Sequence, residues 1–570
     1  MRTRREHCFV FGPFRLQPEE GRLQRDGLLV PLTPKAFAML LVLVSHSGRL
    51  VDKDVLMQEL WPDAFVEEGN LTFTMSVLRK ALDDSARAAR YIETVPKRGY
   101  RFIAPVRESD VTNPVKSVAV LPFLNLGSAD GSQYLAAGIQ DALIDELARN
   151  GSLHVISRTS SMGATRPLAA FARALRLDAV VEGSALLEGD RVHLEVSLTD
   201  PFDDQPLWTQ SYERSLRDVA SWQSEVARTI AQQIDAAPAS RGYATSQDRA
   251  VAPEAHAAYL RGRYYWHQSF TASAFQSAIR HFRQALDLDS GYARAWAGLA
   301  NCFSAMAVQA MLPPEEGWSE AKHAAERALA LEPSLAEVHV SMAAVQLFFE
   351  WNWASTERAL QSALDLSPSY SPAHALFTHY AAARGWTHYA IASARRALDL
   401  DPMSPVAHLD QAWAYLLARD YSRAMNQCDS IQAMGMNVPL ARVYVAQIYQ
   451  CTGKHQTAVT EMEKLLASDG ETPAPILALL GHAYGLAGTI RAAREVLHQM
   501  KTLAGRCYVS PYDWAVLHTG LGENGAALQY LEQALEERSP RAIWLNVEPA
   551  FDSLRADRRF RSIIRRLGLE

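Results

Sequence analysis

Residues 91–102 of the chain read Tyr-Ile-Glu-Thr-Val-Pro-Lys-Arg-Gly-Tyr-Arg-Phe. Alternating β-forming residues lead into a Pro-Lys-Arg-Gly tip and out of it again. The pattern predicts a β-hairpin, because Pro96 fixes the approach to the turn and Gly99 tolerates a positive φ. The hairpin carries three cations, Lys97, Arg98 and Arg101. These cations can enter a groove or follow a phosphate backbone, and the alternative is an ordinary exposed hairpin whose charges are solvated.

The elements before the hairpin are predicted from local signals. Residues 9–30 alternate apolar and polar side chains, as in a small antiparallel sheet. Thr33 is expected to cap a first helix that has a proline in its first turn, and Asp52 to cap a second helix. A third helix is expected over residues 70–82, where leucine and methionine recur at helical spacing. The spacing places four side chains in one buried stripe: Leu71, Met75, Leu78 and Leu82.

The order of sheet, three helices and basic hairpin, closed by Gly-Tyr-Arg-Phe, resembles the OmpR/PhoB-type winged-helix domain of transcriptional regulators. The resemblance covers about the first 105 residues and implies that the third helix enters the major groove while the hairpin, or wing, contacts the adjacent minor groove. By that resemblance, base edges are contacted by Phe73, Thr74 and Val77, phosphates by Ser76, Arg79 and Lys80, and the wing contacts are Lys97, Arg98 and Arg101. The family often has arginine where this chain has Val77. Arginine binds guanine through two donors, whereas valine can only contact a thymine methyl group, so base preference is expected to depend on methyl contacts and DNA shape.

The charge distribution agrees with a nucleic-acid-binding end. Residues 1–107 contain 17 Lys and Arg against 13 Asp and Glu, a surplus of four positive charges. The whole chain of 570 residues has a net charge of −6, so the remainder carries −10. A basic end on an acidic body fits a DNA-binding module joined to something else. Because the surplus is small, affinity is expected to depend on oligomers of the chain or on clustered DNA sites.

A second domain is predicted between two polar linkers, residues 108–116 and 236–252. Strands are expected at residues 117–123, 154–157, 179–184, 191–199 and 207–214, and helices at 130–149, 168–177 and 216–234. This order predicts a small α/β sheet with helices on one face or both. The stretches VAVLPF, VISRTS and VVEGSALLEGDRV resemble the TolB N-terminal-like domain, which supplies no chemistry of its own.

The C-terminal half repeats a pattern of a small residue, an apolar residue four positions later and another three positions after that. The first members are Ala278, Ala321, Thr356, Ala390, Ala424, Ala458, Ala493 and Ala527. Their spacing is 34 or 35 residues except for a first gap of 43, which holds an insertion around residues 311–317. This period resembles the tetratricopeptide repeat and predicts an α-solenoid of about eight repeats. Residues 551–567 are amphipathic and are expected to cap the open end.

Sequence motifs give no catalytic site. The GxGxxG match at residues 520–525 lies between two repeat helices, where it is expected to be a turn rather than a dinucleotide site. Histidines and tryptophans of the solenoid, His374, His379, His388, Trp351, Trp353 and Trp386, are expected to pack in its core rather than to bind a metal or ligand. The five cysteines form no CxxC pair, which argues against a zinc site or a disulfide framework. We therefore predict no enzyme activity, cofactor or metal.

The predicted architecture is multidomain, α/β plus α: a winged helix at residues 1–107, an α/β domain at 115–236 and a repeat solenoid at 253–570. It resembles HilA-type invasion regulators, which also join this winged helix to tetratricopeptide repeats. The predicted function is sequence-specific, double-stranded-DNA-binding transcriptional regulation, with the solenoid contacting RNA polymerase, a regulatory protein or a peptide. The alternatives are a scaffold and a ligand-sensing adaptor whose α/β domain binds a small molecule. No apolar run reaches the roughly 18 residues of a membrane span, and no signal peptide is recognised, so a cytoplasmic location is expected.

Overall fold

The structure is a computed structural model that describes residues 5–18, 21–25, 28–61, 68–86, 88–112, 115–127, 132–149, 153–162, 164, 166–189, 191–215, 225–226, 228–230, 232–234, 251–268, 271–434, 438–466 and 472–569. The chain divides into two compact units, Met1–Val115 and Lys116–Glu570, and each is described by itself. Most of the second predicted linker and of the helix predicted at 216–234 lies outside the described residues.

The first unit begins with a five-stranded antiparallel sheet in the order β4-β3-β2-β1-β8. Its strands are β1 (Arg5–Phe11), β2 (Phe14–Gln17), β3 (Arg22–Arg25), β4 (Leu28–Val30) and β8 (Arg107–Thr112). Residues 108–116 were predicted to be a linker, but β8 pairs with β1 along its whole length. The polar sequence of β8 gave no sign of this strand, because it lacks apolar alternation and pairs with residues about 100 positions away.

Three helices and a second sheet complete this unit: α1 (Pro34–Ser45), α2 (Lys53–Leu60), α3 (Glu68–Leu82), β5 (Leu50–Asp52), β6 (Ile92–Val95) and β7 (Gly99–Phe102). The Thr33 hydroxyl accepts the Ala36 N–H at 3.3 Å, so the first predicted cap is confirmed. Asp52 occupies the cap position of α2 without a side-chain capping bond. The strands order as β5-β7-β6, and Phe11 and Phe14 of the first sheet pack against Phe102 and Tyr91 beside the hairpin.

The second unit starts with a mixed six-stranded sheet in the order β11-β9-β12-β13-β14, with β10 paired to β12. Its strands are β9 (Ser117–Val120), β10 (Leu124–Asn125), β11 (His154–Ile156), β12 (Ala179–Glu188), β13 (Arg191–Asp200) and β14 (Gln205–Ser215). The intervening helices are α4 (Ser132–Ala148), α5 (Arg158–Ser161) and α6 (Leu168–Leu175). All four residues of β9 are buried, as in a strand covered on both faces.

The rest of the second unit is helical. Its helices are α7 (Pro253–Gln268), α8 (Ala272–Leu288), α9 (Ala293–Val308), α10 (Pro314–Leu331), α11 (Ala336–Val345), α12 (Trp353–Leu366), α13 (Ser371–Ala383), α14 (Thr387–Leu400), α15 (Pro405–Leu417), α16 (Tyr421–Ala433), α17 (Pro439–Cys451), α18 (His455–Leu466), α19 (Ala474–Leu486), α20 (Ile490–Ala504), α21 (Pro511–Gly520), α22 (Asn524–Glu536) and α23 (Arg558–Arg566). From α7 to α22, consecutive helices pack in pairs. The first member of each predicted repeat lies on the second helix of a pair and is at most 2% exposed. Small buried residues let the helices cross closely.

Buried charges join the α/β domain to these helices. The Asp141 carboxylate on α4 lies 2.9 Å from Arg158 Nη1 and 3.5 Å from Arg263 Nη2 on α7, and Arg263 Nη1 lies 3.5 Å from Glu337 on α11. Burial raises the pKa of Asp141, but Arg263 and Arg158 more than offset that effect, so its pKa is lowered. The α/β domain and the first helix pairs therefore share a core.

The C-terminal segment, residues 540–569, reaches much further than the predicted end cap. It contacts α21 and α22, as a cap would. It also returns to the middle helices, where Trp353 Nε1 donates to the Leu567 carbonyl at 2.8 Å and Trp544 packs edge-on against Trp413 with 5.0 Å between ring centroids. Arg419 bonds Asp552 at 2.8 Å. Among the residues that the structure describes, no helix combines the length and the apolar character needed to cross a membrane.

Candidate DNA-binding surface

Helix α3 has one buried and one exposed face. The predicted stripe is confirmed, since Leu71, Met75, Leu78 and Leu82 are all 2% exposed or less. Phe73 points away from this core and is 70% exposed, although an aromatic side chain gains most from burial. Ser76 and Lys80 are also exposed, and Val77 is half-buried against the core. The outer face of α3 thus presents an apolar ring, a hydroxyl and an ammonium group.

Thr74 lies on the inner side of α3. Its side chain is 7% exposed and its hydroxyl donates to the Asn70 carbonyl at 2.8 Å. This back-bonding satisfies the hydroxyl within the helix. The family resemblance placed Thr74 at base edges, but its side chain lies beside Met75 in the buried half of the helix, so we no longer expect it to contact a base.

Arg79 connects α3 to the hairpin instead of extending into solvent. Its Nη2 donates to the Ile92 carbonyl at 2.9 Å and to the Thr94 hydroxyl at 2.7 Å, both on β6. Its guanidinium carbon lies 6.0 Å from the centroid of the Tyr100 ring on β7. The family resemblance placed Arg79 near phosphates. In the structure, the N–H groups of the Arg79 guanidinium instead bind α3 to strand β6 of the wing.

The hairpin is confirmed, with an exposed cationic tip. Lys97 and Arg98 are exposed between β6 and β7, and the Arg98 carbonyl accepts the Lys53 N–H at 3.0 Å. The positive φ is at Lys97, at 61°, and not at Gly99 as the sequence analysis expected. Gly99 is required for a different reason, since a Cβ there would lie 2.0 Å from the Val51 carbonyl oxygen of β5. The glycine therefore sets the close approach of the hairpin to the body of the unit.

Two carboxylates that the sequence analysis did not single out also shape the hairpin. Asp84 accepts the backbone N–H groups of Arg90 and Ile92 at 2.7 and 2.9 Å, which fixes the start of β6. Glu93 lies 3.2 Å from Arg101 across the two strands. Because this partner offsets its charge, Arg101 contributes less to the cationic surface than Lys97 or Arg98. The Asp84 carboxylate bonds groups six and eight residues further along the chain, so no local sequence signal pointed to this role.

The predicted site residues thus fall into two groups. Exposed on α3 or at the hairpin tip are Phe73, Ser76, Lys80, Lys97 and Arg98, with Val77 half-exposed beside them. Turned inward or paired within the unit are Thr74, Arg79 and Arg101. Within the described part of the chain no three His, Cys, Asp or Glu side chains are arranged to hold a metal ion. The first group forms a surface of one apolar ring, hydroxyl and methyl groups and three cations.

The chain matches two families over these regions. Residues 27–102 match the family described as "Transcriptional regulatory protein, C terminal", and residues 115–231 match the "HilA/YgeH-like transcriptional regulator, second domain". The second match covers the α/β domain, for which the resemblance to the TolB N-terminal-like domain stays a prediction.

Similarity to whole proteins extends beyond these two regions. The chain is 24% identical over 472 residues to the transcriptional regulator HilA of Salmonella typhi, covering 79% of this chain and 81% of HilA. It is 33% identical over 96 residues to the transcriptional activator CadC of Escherichia coli (strain K12), or 17% of this chain and 19% of CadC. It is also 32% identical over 188 residues to the putative adenylate cyclase 3 of Rhizobium meliloti, or 32% of each chain.

These matches agree with the winged helix, its exposed helix face and its cationic hairpin. The chain is therefore a transcriptional regulator of the HilA/CadC type, with an OmpR/PhoB-type DNA-binding domain followed by a HilA-like second domain.

Proposed function

We propose that the chain binds double-stranded DNA with the outer face of α3 in the major groove and the hairpin tip on the flanking backbone. The observation that supports this most is the exposed Phe73 face of α3, held to the cationic hairpin by Arg79. A large exposed aromatic ring beside solvated cations has little value for stability and fits a binding surface.

We assign roles by exposure. Phe73 and Val77 contact base edges, Ser76 and Lys80 contact phosphates, and Lys97 and Arg98 contact the backbone beside the wing. Arg79 is the only arginine in α3, and its bonds to β6 keep it from guanine. Base selection therefore rests on apolar contacts with thymine methyl groups and on DNA shape, which favours A·T-rich target sites.

The helical part is proposed to be a tetratricopeptide-repeat solenoid of about eight repeats. The paired helices and the buried small residue at each predicted repeat position support this assignment. Such arrays bind proteins or peptides, and here the partner is RNA polymerase or a regulatory protein. Binding of DNA as an oligomer, a cytoplasmic location and the lack of enzyme activity remain predictions. The isolated first unit should bind the target site without reproducing regulated transcription, since regulation is expected to need the α/β domain and the helices as well.

The test is selection of genomic DNA fragments by the full chain, followed by affinity measurements at several salt concentrations. Arg98→Ala should weaken binding by about 1–3 kcal/mol and lower the salt dependence by about one phosphate contact. Arg491→Ala, which removes an arginine that is 95% exposed on α20, is the matched control and should change neither quantity. Equal affinity and salt dependence for Arg98→Ala and the parent protein would contradict the wing assignment.

A further inference from the structure

The last helix of the chain, α23, is strongly cationic. Five of its nine residues are arginine, and none is acidic. Residues 555–569 together contain six arginines and one aspartate, a surplus of five positive charges, although the chain beyond residue 107 has a net charge of −10. The planar fork of donors in arginine matches the oxygens of phosphate and carboxylate groups. The charge of α23 is therefore a feature that an end cap alone does not explain.

The apolar face of α23 is fully used inside the protein. Its side chains pack in the core of the last helices and are at most 7% exposed: Phe560, Ile563, Ile564 and Leu567. All five arginines lie on the opposite face and are exposed. Because the apolar side chains are covered, the helix has nothing to insert into a lipid layer, and a partner can contact only its charged face.

Three of these arginines keep most of their donors. The guanidinium groups of Arg558 and Arg566 form no ion pair or hydrogen bond with the residues that the structure describes, and Arg561 donates one N–H to the Ala556 carbonyl at 3.3 Å. Arg559 lies 2.9 Å from Glu532, but the two side chains are 49% and 36% exposed. Such a solvated pair is weak, so a phosphate can replace the carboxylate.

The arrangement of the arginines is unfavourable for the helix by itself. Arg558 and Arg561 are three residues apart, and Arg561 and Arg565 are four apart, so like charges face each other along the helix. Arg558 and Arg559 also lie in the first turn, where the helix dipole disfavours cations. The Asp557 carboxylate caps the helix by accepting the Arg559 N–H at 2.7 Å, and it is a single negative charge among five positive ones. An anionic partner would remove this repulsion.

The density of charge on α23 fits a nucleic acid better than an acidic peptide. A helix of nine residues is about 13 Å long. Duplex DNA carries about eight phosphate charges over that length. An extended peptide of the same length presents only about two side chains on one face. The first unit has a surplus of only four positive charges, so phosphate contacts from elsewhere in the chain would strengthen its hold on DNA.

We propose that the arginine face of α23 is a second DNA-binding surface, which contacts the phosphate backbone of double-stranded DNA. Contacts with phosphates add affinity and salt dependence, and they carry no direct information about base sequence. The surface is separate from the proposed contacts of α3 and the hairpin, and it can be tested independently of them.

The test measures binding of the full chain to a long duplex of arbitrary sequence at several salt concentrations. A triple variant of α23 replaces three arginines with glutamine: Arg558→Gln, Arg561→Gln and Arg566→Gln. We expect about tenfold weaker binding at low salt and a salt dependence lower by about three phosphate contacts. The corresponding triple replacement with lysine keeps the charges and should retain most of the salt dependence.

The matched control removes the same number of charges from exposed positions of the repeat helices: Arg280→Gln, Arg395→Gln and Arg491→Gln. It should leave the salt dependence unchanged. All six side chains are exposed, so both proteins are expected to fold, and thermal unfolding verifies this. The α23 variant should be at least as stable as the parent protein, because it loses the repulsion between like charges.

An unchanged salt dependence in the α23 variant, or an equal decrease in the control, would overturn the proposal. The winged-helix contacts would then still be judged by Arg98→Ala, so the two proposals fail separately. Titration with poly-L-glutamate is the competing arm. If these arginines bind that polymer and not DNA, the partner is an acidic protein and the proposal is wrong. Genomic selection with the α23 variant should return the same sites as the parent protein, and altered sites would contradict contacts with phosphates alone.

Discussion

The DNA-binding unit and the helical part of the second unit place two large aromatic side chains, Phe73 and Trp544, in opposite environments. In the first unit Phe73 stands 70% exposed on α3, although the same helix has a complete buried stripe. In the helical part of the second unit, residues 540–569 pack back against the middle helices, with Trp544 among Phe348, His379 and Trp413. We expect the exposed ring to belong to a binding surface. The periodicity of the predicted repeats gave no sign that the C-terminal segment packs against the middle helices.

The comparison is tested most strongly by removing one ring from each region. Phe551 is fully buried between the C-terminal segment and the last helices, so Phe551→Ala should lower the free energy of unfolding by about 3–5 kcal/mol. Phe73→Ala should change it by no more than about 0.5 kcal/mol while weakening DNA binding. Denaturant unfolding and DNA titration of both variants measure these effects. An unchanged free energy of unfolding in Phe551→Ala would show that residues 540–569 contribute little to the stability of the second unit.

The shared core of the α/β domain and the helices is tested at Asp141. Asp141→Asn removes the carboxylate that Arg158 and Arg263 share, and it should lower the free energy of unfolding by about 3–5 kcal/mol. Since the pKa of Asp141 is lowered in the folded state, its contribution is present at neutral pH and is lost as pH falls through the acidic range. The variant should therefore lose less stability than the parent protein on acidification. Asp429→Asn, at an exposed position on α16, is the control and should be nearly neutral.

The close packing of the hairpin against β5 is tested at Gly99. Gly99→Ala puts a Cβ against the Val51 carbonyl, and the resulting strain should cost about 1–3 kcal/mol. Gly69→Ala, at a helical position with open space around it, should be neutral or slightly stabilising. Thermal unfolding of residues 1–115 compares the two. Equal stability of both variants would mean that the hairpin shifts freely, and the proposed wing geometry would lose its support.

The smallest expected effect is a change in the preferred base at one position of the DNA site, with little change in DNA affinity. Val77→Arg adds two donors next to the exposed face of α3 and should move one position of the selected DNA site toward guanine. Selection with both proteins, followed by sequencing, gives the measurement. Identical sites would show that position 77 does not face the groove.

Local sequence signals predicted most of the elements, because helix caps, apolar stripes and hairpin tips depend on neighbouring residues. They predicted the Thr33 cap, the four-residue stripe of α3 and the β6–β7 hairpin. They did not predict the strand Arg107–Thr112, whose partner lies about 100 residues away, nor the return of the C-terminal segment to Trp353. Side-chain roles were predicted least well. Whether Arg79 faces a phosphate or the hairpin is decided by carbonyls that only the folded chain brings within reach.

The bonds of Arg79 have a consequence for which DNA sequences fit the protein. Because Arg79 bonds α3 to the hairpin, we expect a fixed distance between the proposed base-contacting face and the proposed backbone contacts. A sequence whose natural geometry differs from that distance has to bend or twist to fit. Flexible pyrimidine–purine steps do so at low energy, and stiff tracts do not. We therefore expect the flexibility of a DNA sequence to contribute to its recognition by the protein.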